Sequence, residues 1–155
     1  MVNLRVNIRP LEPRDFAQTL PMLLEMKHVH DEGEVLEARF TEFCSSELHG
    51  LLGAELEGVL VGYASMQDYG PHLRSGSYHR TVRLHDLFVL EPYRKRGVGK
   101  ALLEGVQDWC RARPIRYLEW QAGSKAIGFY ERLGYKGEPC PQPDFPYFEV
   151  DFSLE

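Results

Sequence analysis

The chain has 155 residues, of which 43% are hydrophobic and 26% charged, an ordinary composition for a globular protein with a buried core. The formal net charge of −5 does not suggest a general affinity for nucleic acid, which is typical of proteins with a strong basic excess. The sequence contains no signal peptide and no apolar run of membrane-spanning length, and its three cysteines form no CxxC or metal-spaced pattern. We therefore expect a cytoplasmic protein with unpaired thiols that binds neither nucleic acid nor a membrane.

Apolar spacing and turn residues divide the chain into alternating strands and helices. In chain order, the first half is predicted to contain a strand that stops at Pro10, helices over 13–30 and 34–48, and strands over 51–57 and 59–67. A loop over 68–80 is followed by a strand over 81–90, a helix from Val98 to Pro114 and a strand over 115–121. The last elements are a helix over 124–134, with Ser124 as N-cap and Gly134 as its stop, and a strand over 146–154. No repeat, low-complexity tract or linker interrupts this order. The pattern predicts a single α+β domain over 1–155 with a mixed sheet.

The segment "EPYRKRGVGKALLEGVQDWC" (91–110) combines two glycines and several basic residues at the start of a helix. A nucleotide P-loop is excluded, because Arg94 stands at the first glycine position and Ala101 at the hydroxyl position. The segment matches a dinucleotide-binding fingerprint poorly, because the bulky Leu102 stands where a small third residue is needed. The remaining interpretation is Arg-x-x-Gly-x-Gly, a loop whose amides and helix N-terminus bind a pyrophosphate; a plain helix start with solvated basic residues is the alternative.

Two motifs together resemble the GNAT N-acetyltransferase family. The block "LHDLFVLEPYRKRGVGKALL" (84–103) is similar to the family's acetyl-CoA-binding strand, loop and helix, and "AIGFYERLGY" (126–135) is similar to its C-terminal cofactor-flanking helix. The resemblance is strong over 84–135, whereas the first half agrees only in element order. It implies one GNAT-like domain with an acetyl-CoA-binding core at about 81–135. The implied sheet is mixed, mostly antiparallel and twisted, with about six or seven strands flanked by about four helices.

The resemblance also implies which residues bind acetyl-CoA. Main-chain groups of Leu87, Phe88 and Val89 are expected to pair with pantetheine, and the cofactor arm is expected to contact Ser124, Ala126, Phe129 and Tyr130. The pyrophosphate is expected at the loop residues, with Ala101 close by: Arg94, Lys95, Arg96, Gly97, Val98, Gly99 and Lys100. Many relatives have Asn at the position of Gly123, so the side-chain contacts at that point differ. No metal is implied.

Acetyl transfer to an amine requires a neutral nucleophile and a proton for the departing thiolate. Tyr130, at a position where similar family members use Tyr as the acid, is predicted to protonate the thiolate, and packing beside Phe129 is the alternative. His85, mostly neutral at pH 7, is the candidate base. Regular strand alternation predicts Asp86 on the opposite face, where it would orient a cationic amine. Whether His85, Asp86 or a water molecule acts as the base stays open.

Further residues are expected to surround the acceptor. In relatives, the loop between the first two helices attracts a cationic acceptor, which points here to Asp31, Glu32 and Glu34. Tyr69 lies in the 68–80 loop, which could rim the site. The resulting prediction is acetyl transfer from acetyl-CoA to the primary amine of a small polyamine- or amino-acid-like molecule, by direct attack in a ternary complex. Protein or aminoglycoside acetylation, a non-catalytic CoA-binding module and a nicotinamide or flavin domain are the alternatives. A homodimer is an expectation at the level of the family.

Overall fold

The structure, a computed structural model, describes residues 5–138, 144, 146 and 148–154. Two compact units make up the chain, Met1–Trp120 and Gln121–Glu155. Within the described residues, the first unit has strands β1 (Asn7–Pro10), β2 (His49–Leu56), β3 (Val59–Asp68), β4 (Thr81–Val89) and β5 (Tyr117–Glu119), and helices α1 (Phe16–Met26), α2 (Gly33–Ser45) and α3 (Val98–Arg111). The second unit has helix α4 (Ile127–Arg132) and a short 3-10 turn, Phe152–Leu154.

The five strands form one sheet in the order β1-β2-β3-β4-β5. The first three pairings are antiparallel and the pairing of β4 with β5 is parallel, because α3 carries the chain back across the sheet between these strands. The α+β class and the mixed, mostly antiparallel sheet are therefore confirmed. The described residues contain five strands, fewer than the six or seven expected.

Helices cover both faces of the sheet. The hydroxyl of Tyr63 on β3 lies 3.0 Å from the Met26 sulfur at the end of α1, whereas a Cβ at the preceding Gly62 would meet Leu102 of α3 at 3.2 Å. Successive strand residues point to opposite faces, so α1 lies on one face and α3 on the other. Helix α2 contacts β2, and its Phe43 stacks on His49 of that strand at 3.7 Å, on the same face as α1.

The hydrophobic core follows this layering. On the α3 face, Val98, Leu102, Leu103 and Val106 of the helix are buried, at the spacing expected of a single helical stripe. On the other face, Leu11, Phe16, Met22, Phe40, Leu60 and Tyr63 form a buried cluster, with Phe16 and Phe40 edge to face at 5.4 Å. Two members of this second cluster, Phe40 and Tyr63, also line the space between α1, α2 and the sheet.

Several predicted boundaries differ from those observed. Ser124 is not the N-cap of α4; Ala126 holds that position without a side-chain hydrogen bond, because residues 123–126 form a turn in which the Ala126 N–H donates to the Gly123 carbonyl. Gly134 ends the helix as predicted, with a φ of 94°. In the predicted strand over 146–154, residues 148–151 lie in no strand and 152–154 form the 3-10 turn; residue 147 lies outside the described residues.

Candidate active site

A β-bulge in β4 brings His85 and Asp86 to the same face of the sheet. Ser65 of β3 pairs with Asp86, but the next residue, Met66, pairs with Leu84, so His85 is the extra residue. His85 Nε2 lies 3.0 Å from the Gln67 side-chain oxygen, and Asp86 Oδ2 accepts a hydrogen bond from Tyr63. Tyr63 and Gln67 point to the same face of β3, which is the face that α1 and α2 cover. The expectation of opposite faces is therefore wrong, because it assumed an unbroken pleat.

The carboxylate of Asp86 is held by a buried tyrosine. The Tyr63 hydroxyl donates to Asp86 Oδ2 over 2.9 Å, and Tyr63 is only 2% exposed. Burial, followed by the neighbouring Asp86 charge, raises the pKa of Tyr63 far above its ordinary value, so the phenol stays protonated and remains a donor. The contact engages one of the two carboxylate oxygens and fixes the orientation of the group.

The surroundings of His85 favour the neutral form of its imidazole near pH 7. Local burial lowers the pKa of its imidazole, Arg83 lowers it further, and Asp86 raises it by a smaller amount. The residue as a whole nevertheless remains exposed. Because the Gln67 amide oxygen can only accept, the facing Nε2 donates, and Nδ1 is then the basic nitrogen of the neutral ring. Chemically, this imidazole can take up a proton beside Asp86.

A cavity of about 120 Å³ opens between α1, α2 and this face of the sheet. We call it the acceptor cavity. Most of its wall is apolar and comes from Leu23, Leu36, Phe40, Phe43 and Leu51. The hydroxyl-bearing side chains that line it are Thr19, Ser65 and Tyr63, and its charged side chains are Arg39 and Asp86. A carboxylate in a mostly apolar cavity is an arrangement suited to binding a cationic amine.

The acidic segment between α1 and α2 lies at the exposed end of these helices. Asp31, Glu32 and Glu34 are all exposed, and Asp31 forms an ion pair with Arg39. Glu32 is the N-cap residue of α2 and Glu34 lies in its first turn, where negative charge interacts favourably with the helix dipole. Of the three, Asp31 is thus connected to the acceptor cavity through Arg39.

The edge of β4 that faces β5 is paired over only part of its length. The ladder between the two strands joins Thr81, Val82 and Arg83 to residues 117–119, whereas β4 continues to Val89. Leu87 and Phe88 therefore lie beyond the last β4–β5 pair. The Val89 carbonyl accepts a hydrogen bond of 2.8 Å from Arg94 Nε. An extended ligand such as pantetheine fits beside this stretch in the way that an added strand would.

The loop before α3 has the backbone geometry of an anion site. Gly97, the N-cap residue, has a φ of 84°, a left-handed conformation that favours glycine. The first intrahelical bond runs from the Ala101 N–H to the Gly97 carbonyl over 3.0 Å, so the amides of residues 98–100 precede the helical ladder. Lys95, Arg96 and Lys100 are exposed around them. Residues 94–100, called the phosphate loop below, can hold a pyrophosphate by charge and by backbone donors.

Arg94 is the member of the phosphate loop that turns back toward the sheet. Besides its bond to the Val89 carbonyl, its guanidinium carbon lies 5.5 Å from the centre of the Phe88 ring. Arg94 therefore ties the loop to the end of β4. A pyrophosphate bound at the loop and a pantetheine bound along β4 would thus share this arginine as a neighbour.

The remaining predicted cofactor residues lie in the second unit. Ser124 and Ala126 precede α4, while Phe129 and Tyr130 lie on it, with their rings edge to face at 5.0 Å. Burial raises the pKa of Tyr130, so its phenol is protonated at neutral pH and can act as a proton donor. In the first unit, Tyr69 is about half exposed, and its N–H donates to the Thr81 carbonyl beside the 68–80 loop.

Sequence reasoning did not identify Arg39, Tyr63 or Ser65 as site residues. Arg39 interrupts an apolar stripe of α2 formed by Leu36, Phe40 and Phe43. A charged residue on the apolar face of a helix is a sign of a functional residue, so the sequence did contain a signal for Arg39. Tyr63 and Ser65 reach Asp86 only through the register of β3 with β4. That register includes the bulge, which local sequence does not reveal.

Comparison with known proteins identifies the chain's family. The model of the acetyltransferase (GNAT) family matches residues 16–135. The chain belongs to this family. The family match and its named relatives make the chain an acetyl-CoA-dependent N-acetyltransferase. Within the described residues, no helix is long and apolar enough to cross a membrane.

Two relatives and one solved structure illustrate the similarity within the GNAT family. The protein YyaT of Bacillus subtilis is 28% identical over 115 residues, covering 74% of this chain and 69% of its own. The D-amino-acid N-acetyltransferase HPA3 of Saccharomyces cerevisiae is 28% identical over 145 residues, covering 88% of each chain. The structure of the aminoglycoside N-acetyltransferase AAC(6')-Iy in complex with CoA shares the fold, with a TM-score of 0.78, 18% identity and 96% of each chain covered.

Proposed function

We propose that the protein transfers the acetyl group of acetyl-CoA to the primary amine of a small molecule that binds in the acceptor cavity. The observation that carries this proposal is Asp86, whose carboxylate lines a mostly apolar cavity and lies on the strand that continues beyond its last pair with β5. A cation held at Asp86 is therefore adjacent to the strand edge suited to pantetheine. Acetyl-CoA supplies the acyl group as an activated thioester, held by the phosphate loop and by the main chain of Leu87, Phe88 and Val89.

In this proposal the amine attacks the thioester directly in a ternary complex. Asp86, fixed by the Tyr63 hydroxyl, binds the incoming ammonium and orients it. Because Asp86 stabilises the protonated amine, a separate proton acceptor is needed before attack, and the neutral imidazole of His85 is the neighbouring group for this step. Tyr130, protonated at neutral pH, is the candidate donor to the departing thiolate. No covalent enzyme intermediate is required, so Cys44 and Cys110 need no catalytic role.

The acceptor is a small molecule of amino-acid-like or polyamine-like chemistry. An amino-acid-like acceptor has one supporting comparison, because the yeast relative is named a D-amino-acid N-acetyltransferase. Asp31, Glu32 and Glu34 contribute negative charge near the cavity entrance and favour the approach of a cation. Tyr69 is proposed as a neighbour of the entrance on the side of the 68–80 loop.

An acceptor screen with acetyl-CoA, read by release of free thiol, tests this proposal. The panel contains amino acids, polyamines, an aminoglycoside and a peptide amine, with an acceptor-free control. We expect turnover that depends on a small primary amine and that falls by about ten- to a thousandfold in Asp86→Asn. Replacement of the exposed Asp108 by Asn, on the far face of α3, is the matched control and should leave turnover unchanged. Thiol release with the peptide or the aminoglycoside alone would overturn the proposal.

A further inference from the structure

The acceptor cavity contains two opposite charges. Asp86 contributes a carboxylate from the sheet, and Arg39 contributes a guanidinium from α2; the other residues that line the cavity are apolar or carry a hydroxyl group. A polyamine presents only positive charge, so it has no group that the free donors of Arg39 can bind. A zwitterion presents one charge of each sign and matches both groups. This difference in charge discriminates between the two acceptor classes that the proposed function leaves open.

Arg39 is held where it can bind an anion. It lies on the same face of α2 as Leu36, Phe40 and Phe43, because residues three and four apart share one side of a helix. One of its terminal nitrogens, Nη2, donates to Asp31, and its side chain is 45% exposed. A guanidinium has five N–H donors in a planar fork, so the Asp31 contact orients the group and still permits bidentate binding of a carboxylate.

The size and wall of the cavity limit the rest of the acceptor. Its volume of about 120 Å³ is that of a small cavity, which suits a compact aliphatic side chain. Leu23, Leu36, Phe40, Phe43 and Leu51 supply an apolar surface for such a side chain.

We infer that the acceptor is an apolar α-amino acid whose carboxylate binds Arg39 and whose amine binds at Asp86. The inference rests on the proposed function and specifies its substrate. In the reaction, the ammonium first loses a proton to the base, and the neutral nitrogen then attacks the thioester carbonyl carbon. The C–N bond forms, the C–S bond breaks, and a second nitrogen proton is lost while the thiolate is protonated. The products are an N-acetyl amino acid, CoA thiol and one proton released to solvent.

A set of matched acceptors tests the inference. Leucine (both enantiomers), leucinamide and isopentylamine share one side chain but differ in the carboxylate, and spermidine represents the polyamines. Steady-state kinetics by thiol release should give a kcat/KM for one leucine enantiomer at least tenfold above the values for leucinamide, isopentylamine and spermidine. Arg39→Met should abolish this preference by raising the KM for leucine about tenfold or more, without lowering the kcat/KM for isopentylamine. Arg39→Lys should restore part of it.

One control variant and one binding measurement keep the outcomes distinct. Arg111→Met makes the same substitution at an exposed arginine of α3 and should change neither the preference nor the melting temperature. If the parent acetylates isopentylamine or spermidine as well as leucine, or if Arg39→Met leaves the preference intact, the inference is wrong while the proposed function stands. If no small amine is acetylated, the proposed function fails, and the inference fails with it. Calorimetric binding of leucine in the presence of CoA, present in the parent and lost in Arg39→Met, supports the inference without turnover.

Discussion

The phosphate loop can be tested with one methyl group at Gly97. This residue has a φ of 84° at the N-cap of α3, and a Cβ added there would meet no heavy atom within 4 Å. Gly97→Ala therefore costs backbone strain of about 1–2 kcal/mol without a steric clash. For a chain of this size that corresponds to a fall in melting temperature of ~2–8 °C. Relief of the strain rotates φ, which redirects the adjacent Val98 amide at the start of the helix.

The functional consequence depends on what that amide binds. A hydrogen bond to a charged phosphate contributes about 1.5–3 kcal/mol, so its loss should raise the KM for acetyl-CoA by ~10–150-fold. Gly58, in the turn between β2 and β3, has a φ of 81° and equally open surroundings. Gly58→Ala is therefore the matched control, with a similar loss of stability and an unchanged KM. The measurements are thermal unfolding, calorimetry with CoA and thiol-release kinetics. If Gly97→Ala binds acetyl-CoA as tightly as the parent, the loop does not hold the pyrophosphate.

Three further substitutions have separable outcomes. Tyr130→Phe keeps the ring and removes the phenolic proton, so kcat should fall by about ten- to ten-thousandfold at constant acetyl-CoA affinity; unchanged chemistry in single-turnover kinetics would assign the ring to packing. Tyr63→Phe removes the donor to Asp86 and should lower kcat/KM for the amine by ~10–150-fold without affecting the KM for acetyl-CoA, and an equal effect on both substrates would contradict this. Asp68→Ala breaks a buried ion pair with Arg80 and should destabilise the fold by about 3 kcal/mol, against less than ~1 kcal/mol for the exposed Asp108→Ala.

The Asp68 ion pair also has a defined pH dependence. Burial raises the pKa of Asp68, but Arg80 and the Gly70 N–H lower it by more, so the net pKa lies below its ordinary value. The unfolded chain therefore binds the proton at a higher pH than the folded chain. The stabilisation is fully present above the unfolded value of about 3.9 and is lost as the pH falls through the folded pKa. In Asp68→Ala this part of the acid unfolding profile should be absent.

Much of the fold can be predicted from local sequence, because the spacing of apolar residues distinguishes helices from strands. The glycine of the phosphate loop was predictable for the same reason, since a left-handed residue before a helix needs no distant partner. The bulge at His85 was not predictable, because it is defined by the partner strand and not by the residues of β4. The predicted strand over 146–154 shows the same limit: alternation of Phe148, Val150 and Phe152 describes a possible strand face, yet all three side chains are exposed and residues 148–151 lie in no strand.

Some residues of the candidate site can be predicted from local sequence, whereas others depend on contacts between elements that are separate in the chain. Asp86 and the phosphate loop belong to one contiguous motif, and their proximity follows from it. The acceptor cavity is formed by α1, α2 and three strands, with lining residues that extend from Thr19 to Asp86 along the chain. Arg39 and Tyr63 acquire a role only when these elements pack together. The residues predicted to bind the common co-substrate can therefore be recognised from local sequence, whereas those proposed to select the acceptor can be recognised only in the structure.

The proton acceptor can be identified by the pH dependence of kcat/KM. Burial and Arg83 lower the pKa of His85 below its ordinary 6.5, and the imidazole is a base only above its pKa. Activity should therefore be present at neutral pH and decline along a limb that lies below 6.5 as the pH falls. His85→Ala should remove that limb and lower kcat/KM by about a hundred- to ten-thousandfold.

Substitutions of the neighbouring charges give the assignment its control. Asp86 raises the pKa of His85 and Arg83 lowers it, so Asp86→Asn should move the limb to lower pH in whatever activity remains, and Arg83→Met should move it to higher pH. Deprotonation of the acceptor produces a second limb at the pKa of the amine, about 8–10, which shifts between acceptors of different basicity while that of His85 does not. If His85→Ala keeps the acid limb and Asp86→Asn abolishes turnover, Asp86 is the base and the two roles are exchanged.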